Sequence, residues 1–394
     1  MKIALFHPWL KSKGGAERVV LEFLKYTKND VDVFTWVYDK ANTFEEFKKF
    51  NIKVIAPKIA EKFSRSYVLR GLFFPLSLFS KIPLQNYDAF LISTGGLAEL
   101  ITFRNYKPKA TFAYVHTILR ASYEDDIRWN LKYRFKNPFA KFIYLIATRF
   151  YRFLEKKAWK KIDVTIFNSE LSLERAKRHD LLEGKEKHVV YPPVNIKKFG
   201  RLKGKEKNFF LYPARFGLTK RQNMLLDAWK LFVEKYPQYY LVLVGNIENK
   251  KYFEKIKKIS KEIRNVEIRT NISDKELLHL YSNCLAVIFV PFMEDFGIVP
   301  FEAFACGKTL IAVDKGGYVQ LAKKAPSIIW VKEKIDSKQT SYEVYKALEK
   351  FVEKKEHFIN KGYKNKNYML KLDLDSREFA KKIDEILENK KKEK

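Results

Sequence analysis

The chain has 394 residues, of which 46% are hydrophobic and 31% are charged. This length predicts two or three domains with sizeable cores and excludes disordered and low-complexity proteins. Lysine and arginine number 77 against 46 acidic residues, a net charge of +31. That excess favours an anionic partner, namely nucleic acid, a phosphorylated small molecule or an anionic membrane surface. Two cysteines, Cys284 and Cys306, cannot form a disulfide framework or a metal cluster, and they favour a reducing compartment.

The apolar runs predict neither a signal peptide nor a membrane-spanning helix. The first run, at residues 3–6, is ended by His7 and Pro8, whereas a signal peptide needs a longer apolar stretch. The run at residues 71–79 stops at Ser80 and Lys81, well short of the length that spans a bilayer. We therefore expect a cytoplasmic protein.

Short apolar runs alternate with amphipathic stretches along the whole chain. This order is typical of doubly wound α/β proteins with parallel strands buried on both faces. The predicted strands lie at residues 3–6, 31–37, 89–93, 111–115 and 164–167, and then at 209–211, 240–244, 266–268, 285–290, 309–313 and 328–331. Each half of the chain therefore predicts its own Rossmann-like sheet, with ligands outside the carboxyl ends of the strands.

Two adjacent prolines, Pro192 and Pro193, mark the boundary between the halves. They impose a stiff, extended segment that cannot enter the centre of a sheet. We predict an N-terminal domain over residues 1–193 and a C-terminal domain over 194–374. Residues 375–394 are predicted as a C-terminal helix and basic tail that can pack back on the N-terminal domain.

Two candidate sites follow strands of the first half. Gly14 and Gly15 precede a predicted helix, where small residues and free N–H groups let an anion approach, although an ordinary strand-to-helix turn has the same pattern. His116 directly follows strand 111–115. There it can donate a hydrogen bond to a substrate or take part in acid–base chemistry. The alternative is a histidine that only forms hydrogen bonds with backbone groups at the strand end.

A pair of cations follows the first strand of the second half. Arg215 and Lys220 flank a glycine-containing loop before a predicted helix at 223–235. A guanidinium fork and an ammonium group beside a helix N-terminus suit a diphosphate. In a chain so rich in lysine, two cations can also share a loop by chance.

The strongest pattern follows strand 285–290. Glu294 and Glu302 lie on a loop and on the start of the next helix, where carboxylates can accept hydrogen bonds from sugar hydroxyls. The amides of Gly297 and Ile298 suit phosphate oxygens. A glutamate that only serves the helix dipole would explain Glu302 but not Glu294.

In chain order, these patterns resemble family 4 of the retaining glycosyltransferases, in its mannosyltransferase-like branches. The resemblance lies in residues 13–18 (the Gly-Gly-Ala-Glu-Arg loop), 114–120 (His-Thr-Pro-x-Arg), 190–195 (Tyr-Pro-Pro-Val), 215–220 (the Arg/Lys pair) and 294–303 (Glu-x-Phe-Gly-Ile-x-Pro-x-Glu-Ala). The last signature is highly specific. Ile118 departs from the pattern, since proline is common there.

The resemblance implies a GT-B fold, in which two Rossmann-like domains face each other across a cleft. The N-terminal domain would be the acceptor side and the C-terminal domain would bind the nucleotide sugar. The implied catalytic residues are His116, Arg215, Lys220 and Glu294, and the implied donor-binding residues are Gly14, Gly15, Arg215, Lys220, Glu294, Phe296, Gly297, Ile298 and Glu302. Within this set, Arg215 and Lys220 would hold the diphosphate, Glu294 the sugar and Glu302 the ribose, while His116 would contact the sugar. No metal and no cofactor other than the donor substrate is implied.

The implied reaction moves a hexose from a nucleotide-diphosphate sugar to a glycan or polyisoprenyl-linked acceptor, with retention of configuration. GDP-mannose is the favoured donor and a UDP-hexose is the alternative. A nucleotide-sugar epimerase on the same fold and a basic nucleic-acid-binding protein are the other interpretations. The charge is spread over both halves without a nucleic-acid motif, so we expect no specific nucleic-acid partner.

A basic aromatic helix is predicted over residues 138–161. Its apolar residues follow helical spacing, with lysines and arginines mostly on the other side. Such a helix can lie on an anionic membrane, or it can bury its apolar face and leave a basic face in water. Residues 62–81 add a second apolar and basic segment. We therefore expect peripheral contact with the cytoplasmic face of a membrane.

Overall fold

The computed structural model describes residues 1–56, 79–106, 110–200, 204–334 and 336–392. The chain divides into two compact units. The first comprises Met1–Pro193 with Ser376–Lys394, and the second comprises Val194–Asp375. Both units are parallel α/β structures, which confirms the doubly wound class that the alternating pattern predicts.

In the described part of the first unit, seven parallel strands are ordered β5-β3-β1-β6-β7-β8-β9. The strands are β1 (Lys2–Phe6), β2 (Trp9–Leu10), β3 (Asp30–Thr35), β4 (Val37–Tyr38), β5 (Ile52–Val54), β6 (Ala89–Thr94), β7 (Thr111–Val115), β8 (Val164–Phe167) and β9 (Glu186–Val189). The helices are α1 (Gly15–Tyr26), α2 (Glu124–Tyr133), α3 (Pro138–Trp159) and α4 (Glu170–Arg178). Strands β2 and β4 form a separate small sheet.

The described strands of the second unit are ordered β12-β11-β10-β13-β14-β15. They are β10 (Phe209–Pro213), β11 (Tyr240–Val244), β12 (Val266–Arg269), β13 (Ala286–Phe289), β14 (Thr309–Val313) and β15 (Ile328–Val331). The helices are α5 (Ile196–Gly200), α6 (Gln222–Lys235), α7 (Lys250–Lys261), α8 (Asp274–Asn283), α9 (Val299–Ala305), α10 (Val319–Ala322), α11 (Ser337–Glu353) and α12 (Lys355–Leu370). A last helix, α13 (Ser376–Lys392), belongs to the first unit.

The central strands are apolar because both of their faces are buried. On one face, Leu5 of β1 packs with Val20 of α1 and Phe379 of α13. On the other, Phe6 meets Trp36 edge to face, with ring centroids 5.0 Å apart. Since successive strand residues point to opposite faces, a strand covered on both sides shows a continuous apolar run.

Each sheet has a switch point, where the chain changes the direction in which it adds strands. In the first unit β1 lies between β3 and β6, and in the second β10 lies between β11 and β13. The loops that leave the carboxyl ends of the two strands at a switch point turn to opposite faces, so a crevice opens between them. Gly14, Arg215, Lys220 and Glu294 lie on loops that follow these strands, whereas His116 follows the neighbouring strand β7 and Glu302 lies in α9.

Some predicted strands differ from the structure. Predicted strand 31–37 is divided, since β3 ends at Thr35 and β4 pairs with β2. Between them, Trp36 donates its backbone N–H to the carbonyl of Pro8 at 3.1 Å, which draws the chain away from the main sheet. The edge strands β5 and β9 escape prediction because they are short and largely polar or exposed.

A buried carboxylate, Asp384, helps to hold helix α13 to the rest of the first unit. Asp384 accepts hydrogen bonds from Thr27 Oγ1 (2.6 Å), the Lys28 backbone N–H (3.0 Å) and Asn29 Nδ2 (2.8 Å). Its side chain is buried beside apolar residues of the same helix that join the core of the first unit. These bonds give partners to the hydrogen-bond donors of the turn that follows α1.

We expect Asp384→Ala to lower the free energy of unfolding by about 2 kcal/mol, because three partly buried donors lose a buried acceptor. Glu385→Ala, at the exposed neighbouring position of the same helix, should change it by less than about 0.5 kcal/mol. Urea denaturation of the three proteins checks the prediction. Equal midpoints for both variants would contradict it.

Candidate functional site

The switch point of the second sheet brings two predicted site residues together. Lys220 lies in the turn after β10, and Glu294 lies in the loop after β13. The Lys220 Nζ is 2.5 Å from Glu294 Oε2, and both side chains are partly buried. The two loops are also joined by the backbone, since Phe292 N–H donates to Thr219 O at 2.7 Å. A cation and a carboxylate are therefore placed side by side at the carboxyl edge of the sheet.

Arg215 lies on the same loop as Lys220, and its side chain is exposed. The loop backbone is fixed at this residue, because Gln222 Nε2 donates to the Arg215 carbonyl at 2.9 Å. An exposed guanidinium on an anchored loop can take a phosphate without first breaking a buried contact.

A buried arginine that the sequence patterns do not single out holds the site loops in place. Arg221 is 2% exposed and contacts both oxygens of Glu333 at 2.7 Å. It also donates to the carbonyls of Val290 at 2.9 Å and Pro291 at 3.3 Å. Arg221 has a left-handed φ of 53°, which turns the chain from the Lys220 turn into α6. One side chain therefore ties together the segments after β10, β13 and β15.

The loop that carries Glu294 needs a glycine. Gly297 has φ of 84°, and a Cβ there would lie 2.9 Å from the Phe289 ring. Phe296 is buried and stacks on Phe301, with ring centroids 5.1 Å apart, so it packs within the protein. Ile298, which follows Gly297 and precedes α9, accepts a hydrogen bond at its carbonyl from the Glu302 backbone N–H at 3.1 Å.

Glu302 is oriented by a buried tyrosine. Tyr281, on α8, donates its hydroxyl to Glu302 Oε2 at 2.7 Å. The ring is fully buried, and this burial raises the pKa of Tyr281 well above its usual value. The tyrosine therefore stays a donor and holds the carboxylate in one direction.

In the first unit, His116 lies at the carboxyl end of β7 and contacts Ser93. His116 Nε2 is 2.8 Å from Ser93 Oγ, and the same oxygen is 2.9 Å from His7 Nδ1. Burial lowers the pKa of His116 to about 3, so the imidazole is neutral at pH 7. His7 and Ser93 are not among the residues that the sequence patterns identify.

Gly14 and Gly15 lie where predicted, at the start of α1. A Cβ on Gly14 would lie only 2.3 Å from Glu17 Oε2, and the Glu17 carboxylate also accepts from Ser12 Oγ at 2.9 Å. The absence of a side chain at Gly14 thus makes room for a carboxylate of the same helix.

Residues 194–365 match the family described as Glycosyl transferases group 1. The alpha-1,3/1,6-mannosyltransferase ALG2 of Kluyveromyces lactis is 23% identical over 98% of this chain and 85% of that protein. The human GDP-Man:Man(3)GlcNAc(2)-PP-Dol alpha-1,2-mannosyltransferase is 24% identical over 80% of this chain and 73% of that protein. The chain is a glycosyltransferase.

The fold of this glycosyltransferase is also found in solved structures. Anabaena Alr3699/HepE, in complex with UDP-glucose, superposes with a TM-score of 0.72 at 17% identity, over 99% of this chain and 100% of that chain. WaaG, a glycosyltransferase of lipopolysaccharide biosynthesis, superposes with a TM-score of 0.63 at 15% identity over 98% and 99% of the two chains. These likenesses confirm the predicted GT-B fold.

We expect Glu333→Ala to destabilise this glycosyltransferase by about 3–5 kcal/mol, because the buried Arg221 cation loses its partner. Lys332→Ala, at an exposed neighbouring position, should cost less than about 0.5 kcal/mol. Chemical denaturation measures both changes. A stability for Glu333→Ala close to that of Lys332→Ala would refute the role of the ion pair.

Proposed function

We propose that this glycosyltransferase transfers mannose from GDP-mannose to a lipid-linked glycan, with retention of configuration. The observation that carries the proposal is the Lys220–Glu294 pair at the switch point of the second sheet. Two similar proteins support the choice of sugar and acceptor, since one is named as a mannosyltransferase and the other as a GDP-Man enzyme that acts on a PP-Dol glycan. A UDP-hexose is the alternative donor, because the HepE structure holds UDP-glucose.

The proposed chemistry depends on charge at the leaving group. When the bond from the sugar carbon to the diphosphate oxygen breaks, negative charge develops on the departing phosphate. Lys220 and Arg215 would neutralise it, and they act more strongly on the transition state than on the ground state. Lys220 is already held in place by Glu294, and fixing a cation before the donor binds avoids the cost of reorganising water around the charge.

The carboxylates would recognise the two hydroxyl-bearing ends of the donor. Glu294 would accept hydrogen bonds from hydroxyls of the sugar. Because Lys220 lies beside Glu294, it would then be close to the diphosphate that is attached to the sugar. Glu302, held by Tyr281 at 2.7 Å, would accept from the ribose. Gly297 and Ile298 form the turn between the two carboxylates, and Phe296 supports that turn from the protein interior.

The first unit would supply His116 and the glycine loop. A neutral His116 at the carboxyl edge of its sheet suits a contact with the donor sugar. Gly14 and Gly15 would let the donor or acceptor approach the start of α1, next to the carboxylate of Glu17.

We expect Lys220→Ala to lower kcat for mannose transfer from GDP-mannose by about 100- to 1,000-fold, because a donor to the leaving group is lost. Glu294→Ala should weaken GDP-mannose binding in a thermal-shift titration. The matched control is Lys235→Ala, which removes another lysine–glutamate pair of the same unit, 2.7 Å from Glu349. Its activity should stay within about twofold of the wild type.

A panel of GDP- and UDP-sugars in the same titration separates the donors. Thermal shifts that do not depend on Lys220 and Glu294 would contradict the proposed site. A larger shift with a UDP-hexose than with GDP-mannose would replace the proposed donor and leave the site itself intact.

We also propose that helix α3 lies on an anionic membrane that carries the acceptor. Six large apolar side chains on this helix are 48 to 72% exposed: Phe139, Phe142, Ile143, Ile146, Phe150 and Phe153. They recur at helical spacing and form one stripe. The opposite side of the helix, including Thr148, Glu155 and Trp159, is buried. Exposed apolar patches of this kind mark interaction surfaces.

Cations border this apolar stripe. Lys136 precedes the helix, Arg149 flanks the stripe, and Lys157 and Lys160 lie near its end, all of them exposed. Lys157 Nζ lies 4.4 Å from the centre of the Phe153 ring, so charge and apolar surface meet there. Each cation near an anionic surface contributes about 1 kcal/mol. In the described residues, no helix is long and apolar enough to cross a membrane.

The second apolar and basic segment of the sequence, residues 62–81, falls mostly outside the residues that the structure describes. Its residues 62–78 are outside the described residues. Phe79, which follows them, is 80% exposed. The membrane proposal therefore depends on α3.

We expect the protein to sediment with vesicles that contain anionic lipid and to be released as salt rises, since the attraction is partly electrostatic. The double variant Phe142→Ser/Phe150→Ser should remain in the supernatant. Leu231→Ser, which changes an exposed apolar residue on another helix, should sediment like the wild type. Equal recovery of wild type in the supernatant with and without vesicles would end the proposal.

A further inference from the structure

Three polar side chains form a hydrogen-bonded chain at the switch point of the first sheet. His7 directly follows β1, Ser93 is in β6 and His116 directly follows β7. Ser93 Oγ lies 2.9 Å from His7 Nδ1 and 2.8 Å from His116 Nε2. These three strands are neighbours in the sheet, so the chain runs across its carboxyl edge.

The backbone holds both ends of this chain in place. His7 N–H donates to Phe34 O at 2.9 Å, and His116 N–H donates to Thr94 O at 2.8 Å. Asn168 Nδ2 donates to the His116 carbonyl at 2.7 Å. With the backbone anchored on both sides, the rings have little freedom to leave Ser93.

Two proton arrangements use the Ser93 hydroxyl as a donor. If Ser93 instead accepted from both rings, its buried O–H would have no acceptor among the described residues, because the hydrogen-bond partners of Ser93 Oγ there are His7 and His116. A serine hydroxyl has one proton to donate and lone pairs to accept with. In one arrangement His7 Nδ1–H donates to Ser93, and Ser93 donates to His116 Nε2, so His116 carries its proton on Nδ1. In the other, every bond is reversed, and His116 carries its proton on Nε2. Both rings are neutral in either case, as their burial requires, since it lowers the pKa of His7 to about 4 and that of His116 to about 3.

The surroundings of His7 Nε2, the ring nitrogen that does not face Ser93, distinguish between the two proton arrangements. His7 is 3% exposed. In the part of the chain that the structure describes, no atom meets the distance and angle of a hydrogen bond to its buried Nε2, although the backbone of Trp9 and of Ser93 lies close enough to the ring to raise the pKa of His7 against the effect of burial. The reversed arrangement would place a proton on this nitrogen and leave a buried N–H unpaired. The first arrangement leaves only a lone pair there, and unpaired buried acceptors are less rare than unpaired buried N–H groups.

We propose that His7 is a positioning residue, which acts through Ser93 to hold His116 in the tautomer with its proton on Nδ1. This inference rests on the proposed role of His116 in sugar transfer. His116 then presents a neutral N–H donor at the sheet edge and cannot act as a base through that nitrogen. A neutral donor suits a hydroxyl oxygen of the donor sugar, or an oxygen on which charge develops.

The tautomer can be measured without substrate. We expect long-range ¹H–¹⁵N correlation spectra of the histidine-labelled wild type to assign the proton of His116 to Nδ1. His7→Phe removes the group that donates to Ser93, so His116 should shift toward the Nε2–H form. His7→Asn retains a side-chain N–H donor near the position of Nδ1 and should restore the wild-type spectrum. Ser93→Ala breaks the chain directly and should also alter the tautomer balance.

Activity provides the second readout. We expect His7→Phe to lower kcat for mannose transfer about tenfold or more, with KM for GDP-mannose changed by less than about twofold, and His7→Asn to recover most of kcat. A purely structural role for His7 would lower stability without changing the His116 tautomer. Thermal unfolding of each variant separates these effects.

Two results would overturn the inference. One is a wild-type His116 with its proton on Nε2, which needs no variant to fold. The other is an unchanged tautomer and kcat in both His7→Phe and Ser93→Ala. Absence of mannose transfer by the wild type would instead refute the proposed function, and the tautomer measurement would keep its meaning.

Discussion

The buried ion pair of Arg221 and Glu333 is the interaction on which the second unit's site depends. Parallel strands end at one edge of a sheet, but the loops that leave them have no hydrogen-bond ladder to hold them together. Arg221 supplies that connection through the carbonyls after β13 and through Glu333 after β15. Glu333 in turn donates its N–H to Asp314, after β14, at 2.9 Å. A buried charge pair is costly to desolvate, so its geometry must be satisfied on every side. That requirement gives the loops of Lys220 and Glu294 a single relative position.

The switch point of the first unit is held by neutral groups. His7, Ser93 and His116 form a chain in which each bond sets the direction of the next. An uncharged chain avoids the desolvation cost of an ion pair. It specifies a tautomer only if the position of the proton is determined at one end of the chain. The buried, unpaired Nε2 of His7 provides that decision. The switch point of the second sheet is therefore held by charged groups, a cation and carboxylates, whereas that of the first sheet is held by hydrogen bonds of neutral imidazoles.

Helix α3 illustrates how far an amphipathic pattern can be interpreted. The spacing of its aromatic residues predicts an apolar face, but the same spacing suits a face buried in the core. In the structure the helix is buried on the side of Thr148, Glu155 and Trp159, and the apolar stripe is exposed. Leu154 lies beside the stripe by its spacing and is nevertheless buried. Only the position of the neighbouring elements determines which of two apolar surfaces a helix buries.

By itself the sequence determined the α/β class, most strands and the local motifs, because runs of apolar residues and glycine-containing turns depend on near neighbours in the chain. The runs that form β7 and β14 and the glycines at the start of α1 are of this kind. The sequence also placed Arg215, Lys220, Glu294 and His116 after strand ends and Glu302 at the start of the next helix, and the roles of these five residues remain predictions. Tertiary structure alone decided that Arg221 meets Glu333, that Tyr281 orients Glu302 and that His7 reaches His116 through Ser93. These partners lie far apart in the chain, and no local pattern records them, because only strand order and packing bring such side chains within hydrogen-bond distance.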